Sequence, residues 1–377
     1  MISMISGGCI MIAMQRPWAP PPGERSRPRG IDEGRERRIT ARLAGAALAV
    51  PLDSVLKEAP GQVHPVRLFG RAMEHLEGLL WHDGVSRGAA YAASGTMIGV
   101  LSGQALGHLG EALGRRLRCP RSVAVTASVA AATYLAVGGQ SLHASASSVA
   151  AALDTGDVGS ARLGLRSLVS RDTNDLDTTE IARAAVESVA ENTVDAIVAP
   201  LVWAAALGAA GTLQYRAVNT LDAMVGYRSP RYEKFGRASA RLDDAEGWLP
   251  ARITAVLVML VRPRSAPEVL RCVLRDAPAH PSPNAGVSEA AFAAALGVRL
   301  GGMNRYEGVS EHRCKIGEGR ECEPEDIGRS VRLSRDVATA AALIAGAASL
   351  LSLGRRASRG SQASLQDTCS LQDTCSL

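Results

Sequence analysis

SVAVTASVAAATYLAVGGQSLHASASSVAAAL, residues 122–153, contains no Asp, Glu, Lys or Arg. Three other stretches share that property, at residues 88–110, 196–215 and 337–354. A helix crosses the hydrocarbon core of a bilayer with about 20 mostly apolar residues. A charge at the centre of such a helix costs about 2.5–3.5 kcal/mol on insertion scales. All four stretches are long enough or nearly so. They are rich in Ala, Gly and Ser, small residues that let helices approach closely in lipid. Buried helices of a soluble α protein would share the pattern, since Leu and Phe are sparse; segment length favours the membrane.

Outward from these stretches the chain is charged, with a net charge of +5. Arginine dominates, and Lys57, Lys234 and Lys315 are the only lysines. Basic residues crowd beside apolar segments, as at Arg115, Arg116, Arg118 and Arg121, and again at 355–359. Such runs read as membrane flanks and suggest cytoplasmic ends. Aromatics make up 3% of the chain, so the basic–aromatic interleaving of a nucleic-acid surface is absent and no nucleic-acid partner is expected. The seven cysteines contain no CxxC pair, which gives no support to a zinc site or disulfide framework. There is no Walker A motif, GxGxxG, HExxH or GxSxG.

Local patterning predicts an all-α fold. Residues 63–80 carry a helical apolar stripe of Leu68, Met73, Leu76, Leu79 and Leu80. Residues 288–300 read as another helix, with Ser288 as a candidate N-cap. Almost nothing alternates with the period of a strand. Residues 1–40 lack a basic n-region and are rich in Pro, Gly and charge from 16 to 38, so they read as a disordered extension. Residues 355–377 repeat SLQDTC and read as a disordered low-complexity tail. The expected membrane domain is 41–354.

Three polar segments could carry chemistry. The first is RDTNDLDTTEIARAAVESVAENTVD, residues 171–195. Asp177 or Thr178 can cap a helix that places Glu180, Glu187 and Glu191 on one face, with Asp195 extending the row. A line of carboxylates beside an apolar segment needs cations, and oxygen-only ligands suit Mg²⁺ together with substrate phosphates. A solvated helix face with Arg183 paired to Glu187 explains the spacing at least as well. The second segment is YRAVNTLDAMVGYRSPRYEKFGRASARLDDAEGWLPAR, residues 215–252. Asp222, Asp243 and Asp244 could hold metal there, and Arg216, Arg228, Arg231, Arg237 and Arg241 could hold phosphates. A charged connecting loop is the plainer alternative. The third is HPSPNAGVSEAAFAAALGVRLGG, residues 280–302, a turn leading into a helix whose N-terminus could receive an anion.

Taken together, HPVRLFGRAMEHLE (64–77), the 171–208 block, the 215–244 block, WLPARITA (248–255) and SPNAGVSEAAFAAALGVRLGG (282–302) resemble the CobD/CbiB family of adenosylcobinamide-phosphate synthases. The resemblance covers about residues 42–353. It implies a multi-pass protein of the cytoplasmic membrane, a helical bundle in lipid with polar cytoplasmic loops. It also implies ATP-driven amidation of adenosylcobyric acid by (R)-1-amino-2-propanol O-phosphate or a related amino-alcohol phosphate. ATP as co-substrate and Mg²⁺ are the expected cofactors, and association with other cobamide-assembly enzymes is conceivable. On the family's pattern, Glu187, Glu191 and Asp195 would serve Mg–ATP, with Asp222, Asp243 and Asp244 as further acidic candidates. His64, Arg171 and Arg241 would bind phosphate or orient the substrate carboxylate, with Arg67 and Asp172 as further substrate-binding candidates. Asn192, Asn219 and Asn284 would face the corrin amides.

The chain departs from the pattern in three places. Gly247 stands where the family usually has Asn before the Trp, the usual Gly-Asp-Pro before His64 is missing, and residues 311–327 carry extra charge and two extra cysteines. A non-catalytic signalling protein of the related β-lactam-sensing family, or a corrinoid-binding membrane protein, would share the helices without needing the carboxylates. One conflict stands. If each apolar stretch crosses once, segments 154–195 and 216–336 fall on opposite sides, although both carry residues of one expected site. A break near Pro200, Gly208 or Gly211, or a turn at Gly138–Gly139, would remove the conflict.

Overall fold

The computed structural model describes residues 29–56, 65–227, 229–306 and 309–374. Helices dominate: α1 (Arg29–Val55), α2 (Pro65–Leu80), α3 (Val85–Arg116), α4 (Arg121–Ala136), α5 (Gly139–Asp154), α6 (Val158–Leu165), α7 (Thr178–Thr193), α8 (Ala199–Leu207), α9 (Ala209–Val225), α10 (Arg237–Val261), α11 (Ala266–Asp276), α12 (Ala285–Leu296) and α13 (Pro324–Thr374). Among the described residues, three helical stretches are long and apolar enough to cross a membrane: Arg121–Asp154, Thr178–Leu207 and Pro324–Arg356. The last has a mean hydropathy of 1.9, yet only 17% of its apolar window is buried. Leu343, Ile344, Leu350 and Leu351 on it, and Met97, Ile98 and Leu101 on α3, face outward. So continuous an apolar face suits lipid better than water.

The conflict over sidedness is settled at Gly208. Residues 196–215 do not make one crossing. A π-helical turn, Val194–Val198, joins α7 to α8. Gly208 then adopts φ 74°, ψ −154° and sends α9 back along α8. That backbone conformation is strained for any residue with a Cβ. The polar segments before α8 and after α9 therefore meet at one end of the hairpin. The Gly138–Gly139 break is real as well: Val137 is extended, and α4 and α5 pack on different partners. Asp53, buried on α1, caps the new start by accepting from Gln140 N–H at 2.9 Å.

Small residues set how closely α3 lies on α9. A Cβ on Gly99 would come within 2.8 Å of Ala217 Cβ and of the Leu213 carbonyl, and Gly95 and Gly103 continue the same face. This is small-residue packing at four-residue spacing, suited to helices in lipid. α2 docks through Met73, which is buried with Tyr91, Leu221, Val225 and Phe235, while Leu76 and Leu80 are partly covered. Leu68 and Leu79 of the expected stripe stay exposed.

Three expectations need correction. Residues 300–316 form an antiparallel hairpin, β1 (Leu300–Tyr306) with β2 (Val309–Ile316), where helix and loop alone were expected. The positive-φ Gly301 and Gly302 admit its bulged start, a local backbone choice that period-two alternation does not reveal. Helix α1 begins at Arg29, inside the segment read as disordered. α13 stays helical to Thr374, because Ala, Leu, Gln and Ser after Gly360 offer no break.

Candidate functional site

Asp177 begins the first segment. It accepts from Glu180 N–H at 2.8 Å, while the Glu180 carboxylate accepts from Asp177 N–H at 3.0 Å. Glu180 is thus half of a capping box and belongs to no metal row. Two turns further on, Glu187 is also occupied. Its Oε2 receives the Arg171 guanidinium, its Oε1 accepts Gly301 N–H at 2.8 Å, and Arg183 Nε lies 3.9 Å away. Arg183 in turn donates to the Gly301 carbonyl at 2.5 Å. Glu187 with Arg171 and Arg183 therefore ties the start of β1 to α7. Of the expected metal and phosphate residues, Glu187 and Arg171 are thus placed against each other.

The remaining carboxylates converge. Glu191, Asp195, Asp222, Asp243 and Asp244 line one cavity of about 160 Å³, together with Ser282, Asn284, Ala285 and Ser288. Asp195 sits in the π-helical turn, which rotates it off the regular row of α7. Tyr215 O–H points at Asp195 Oδ1 from 3.4 Å. Asn219 donates to Asp243 at 3.2 Å and accepts from Arg216 at 3.2 Å, which aims the Asp243 carboxylate. Asp222 is pushed up to about 6 by burial, with the charges of Asp244 and Glu191 adding to it. Burial, then Asp195 and Asp222, hold Asp243 well above the usual carboxylate range.

The opposite wall is a helix start. Asn284 is the N-cap of α12, and Ser282 Oγ accepts from the Asn284 and Ala285 amides at 3.3 and 3.2 Å. Ser288 lies inside the helix and bonds back to Ala285, so it is not the cap. Asn284 Nδ2 donates to the Asp244 carbonyl at 2.9 Å, and its Oδ1 accepts from Arg252 at 3.2 Å. Gly247 makes room for this: a Cβ there would lie 2.6 Å from Asn284 Nδ2. The family's usual Asn could not stand at 247 with Asn284 in this position.

Other candidates are placed elsewhere. Arg67 on α2 and Arg241 on α10 are exposed, and neither lines the cavity. Asp172 is exposed beside the buried Arg171. Asn192 turns back onto its own helix, donating to the Ser188 carbonyl at 2.9 Å. His64 lies outside the described residues. Two buried acids were missed in the sequence. Glu289, alone in the apolar α12, lies 3.7 Å from His280 Nε2, and burial followed by Glu187 and Glu191 raises its pKa. Glu246 is held by Gln214, and burial lifts it to about 7. A lone Glu within SEAAFAAALG was the available signal for the first.

The donor set is oxygen only, which suits a hard cation. Among the described residues no three His, Cys, Asp or Glu side chains converge enough to hold a metal by themselves. The fit is therefore to Mg²⁺ brought with phosphate oxygens, which needs one or two carboxylates from protein. A cavity of about 160 Å³ is below the roughly 300–1,000 Å³ of whole-ligand pockets. That volume is nearer the size of a phosphate group than of a whole nucleotide or corrin.

The family described as "CobD/Cbib protein" matches residues 46–334. A cobalamin biosynthesis protein CobD of Mycobacterium tuberculosis (strain CDC 1551 / Oshkosh) is 47% identical over 307 residues, covering 81% of this chain and 95% of the relative. Proteins of the same name from Chromobacterium violaceum and Pelobacter propionicus are 42% and 39% identical, again over more than 80% of this chain and 95% or more of theirs. No solved structure matches. The matched length and the identities together place the chain in the CobD/CbiB family.

Proposed function

We propose that this protein is an adenosylcobinamide-phosphate synthase of the cell membrane. It would join a carboxylate of adenosylcobyric acid to the amine of (R)-1-amino-2-propanol O-phosphate or a related amino-alcohol phosphate, with ATP converted to ADP and phosphate. Relatives named for cobalamin biosynthesis support the pathway. The observation that supports the chemistry is the cavity itself, with carboxylates on one wall and the N-terminus of α12 on the other.

A carboxylate and an amine do not condense usefully in water; phosphorylating the carboxylate supplies the leaving group. Asp222 and Asp243 are the best-placed residues to hold Mg²⁺ brought with ATP, which supplies neutralisation of charge on the transferring phosphoryl group. Asn219 keeps Asp243 aimed at that position through its 3.2 Å bond. The first amides of α12 are already capped by Ser282, so what that wall offers a phosphate oxygen is the positive end of the helix dipole. Asn284 fixes the distance between the two walls by joining Asp244 to Arg252. The corrin ring is too large for the cavity and rests outside it, with only its carboxylate reaching in.

The test is product formation by membranes containing the protein, given adenosylcobyric acid, aminopropanol phosphate and Mg–ATP, read by mass spectrometry. An ATP-dependent product with the mass of the amide is expected, and Asp243→Asn should abolish it in folded protein. No product from folded wild-type protein, with other amino-alcohol phosphates also tried, overturns the proposal.

A further inference from the structure

A second cavity lies at the far end of the bundle, unconnected with the acidic site. From Asp195 to Leu207 is roughly 18 Å along α8, and from Gly208 to Asp222 roughly 21 Å along α9, at 1.5 Å per residue. The far cavity has a volume of about 750 Å³ and lies between the start of α1, the start of α4 and the end of α8. Arg35, Arg37, Arg38, Arg42 and Arg121 line it, with no Asp or Glu among the lining residues. Arg42 donates to the Ala206 carbonyl at 2.7 Å, which anchors it at the edge of the cavity. Burial, then the neighbouring Arg38, lowers its pKa, while Arg121 is held at the cavity's edge by Glu111, with Nε at 3.1 Å and Nη2 at 2.9 Å from Oε1.

The position says which anion belongs there. Arg121 opens the candidate span Arg121–Asp154, and Leu207 closes Thr178–Leu207. Ser349 bonds the Thr40 carbonyl at 3.0 Å and Arg356 lies 3.9 Å from Glu36, so the end of Pro324–Arg356 is at the same level. All three spans thus reach a membrane surface beside this cavity. Its rim is apolar and outward-facing, at Ile39, Val123 and Leu207. Guanidinium groups in a concave pocket match phosphate oxygens, and an apolar rim at the same height matches acyl chains.

We propose that this cavity binds the phosphodiester headgroup of an anionic phospholipid. The arginines hold the phosphate, and the chains run down the outer faces of α1, α4 and α8. A run of arginines acting only as a membrane flank would need no cavity.

The test uses full-length protein in mild detergent, titrated with phosphatidylglycerol or with phosphatidylcholine of the same chains and read by native mass spectrometry. At least a tenfold preference for phosphatidylglycerol is expected. Arg35→Gln with Arg38→Gln, both at exposed positions, should reduce it to about twofold. Arg115→Gln with Arg116→Gln removes the same charge outside the cavity and should leave the preference intact. Equal binding of the two lipids overturns the proposal, as does an equal loss in the control pair, which would mean general surface attraction. Displacement of phosphatidylglycerol by sn-glycerol 3-phosphate at comparable concentration would make the ligand a free phosphate and overturn the lipid assignment.

Discussion

Replacing Glu187 separates holding the fold from doing chemistry. Glu187 and Arg171 side chains are each 6% exposed. Breaking a buried pair by removing one partner costs about 3–5 kcal/mol, because the other charge is left uncompensated. In Glu187→Gln the amide oxygen can still accept Gly301 N–H, so the lower end, about 3 kcal/mol, applies. That corresponds to a fall in Tm of about 6–12 °C. Buried Cys272 and Cys322 become reactive on unfolding, so a thiol-reactive dye in detergent reads the transition. Arg171→Leu combined with Glu187→Leu should regain only part of the loss, since Arg171 is no longer stranded but Gly301 N–H and Arg183 still lose their acceptor. Glu191→Gln, on the cavity wall, should melt within about 2 °C of wild type yet make no product. If Glu187→Gln melts like wild type and makes no product, the pairing argument is wrong and Glu187 is a reacting group.

Three further outcomes are expected. Asp222 stands at about 6 in the folded protein against 3.8 for an ordinary Asp, so folded protein binds that proton more tightly than unfolded chain. Stability of Mg²⁺-free protein should therefore rise as pH falls from 7 through 6, by up to about 3 kcal/mol, and level off below about 4. Asp222→Asn should lessen the rise without abolishing it, because burial also raises Asp243, Glu246 and Glu289, and a Tm indifferent to pH in wild type would count against the buried acid cluster. Exposed Cys119 sits at the arginine end and exposed Cys314 at the hairpin near the acidic end. In single-cysteine variants of intact cells, an impermeant maleimide should label Cys119 and spare Cys314 if the acidic cavity faces cytoplasmic ATP. The reverse pattern would obey the basic-flank rule and sink the ATP-driven reading. Gly247→Asn should push Asn284 off the Asp244 carbonyl and cost about 1–3 kcal/mol; unchanged Tm and activity would show that Asn284 has another place to go.

The basic-flank reading illustrates how local inference reaches its limit. Arginines at 115–121 and 355–359 looked cytoplasmic, and so did the acidic blocks. The fold puts the two groups at opposite ends of the α8–α9 hairpin, so they cannot share one side of a membrane that the bundle crosses. Glu187 shows the same limit at single-residue scale. Its spacing from Glu191 correctly implied one helix face, but the partners that occupy it, Arg171 and Gly301, come from elsewhere in the chain.

The sequence by itself determined the helical class, the apolar stretches, a helix start at Asp177 or Thr178, Gly208 as one of several candidate breaks, and the acidic segments. These are local properties: helix periodicity, the conformational freedom of glycine and side-chain chemistry all act within a few residues. Only the tertiary structure decided that Asp195, Asp222 and Asp243 share a cavity with the start of α12, that Glu187 is consumed by an ion pair, and that five arginines surround a second cavity. Those outcomes depend on which helices pack together, through contacts between residues far apart in the chain, and no local spacing encodes them.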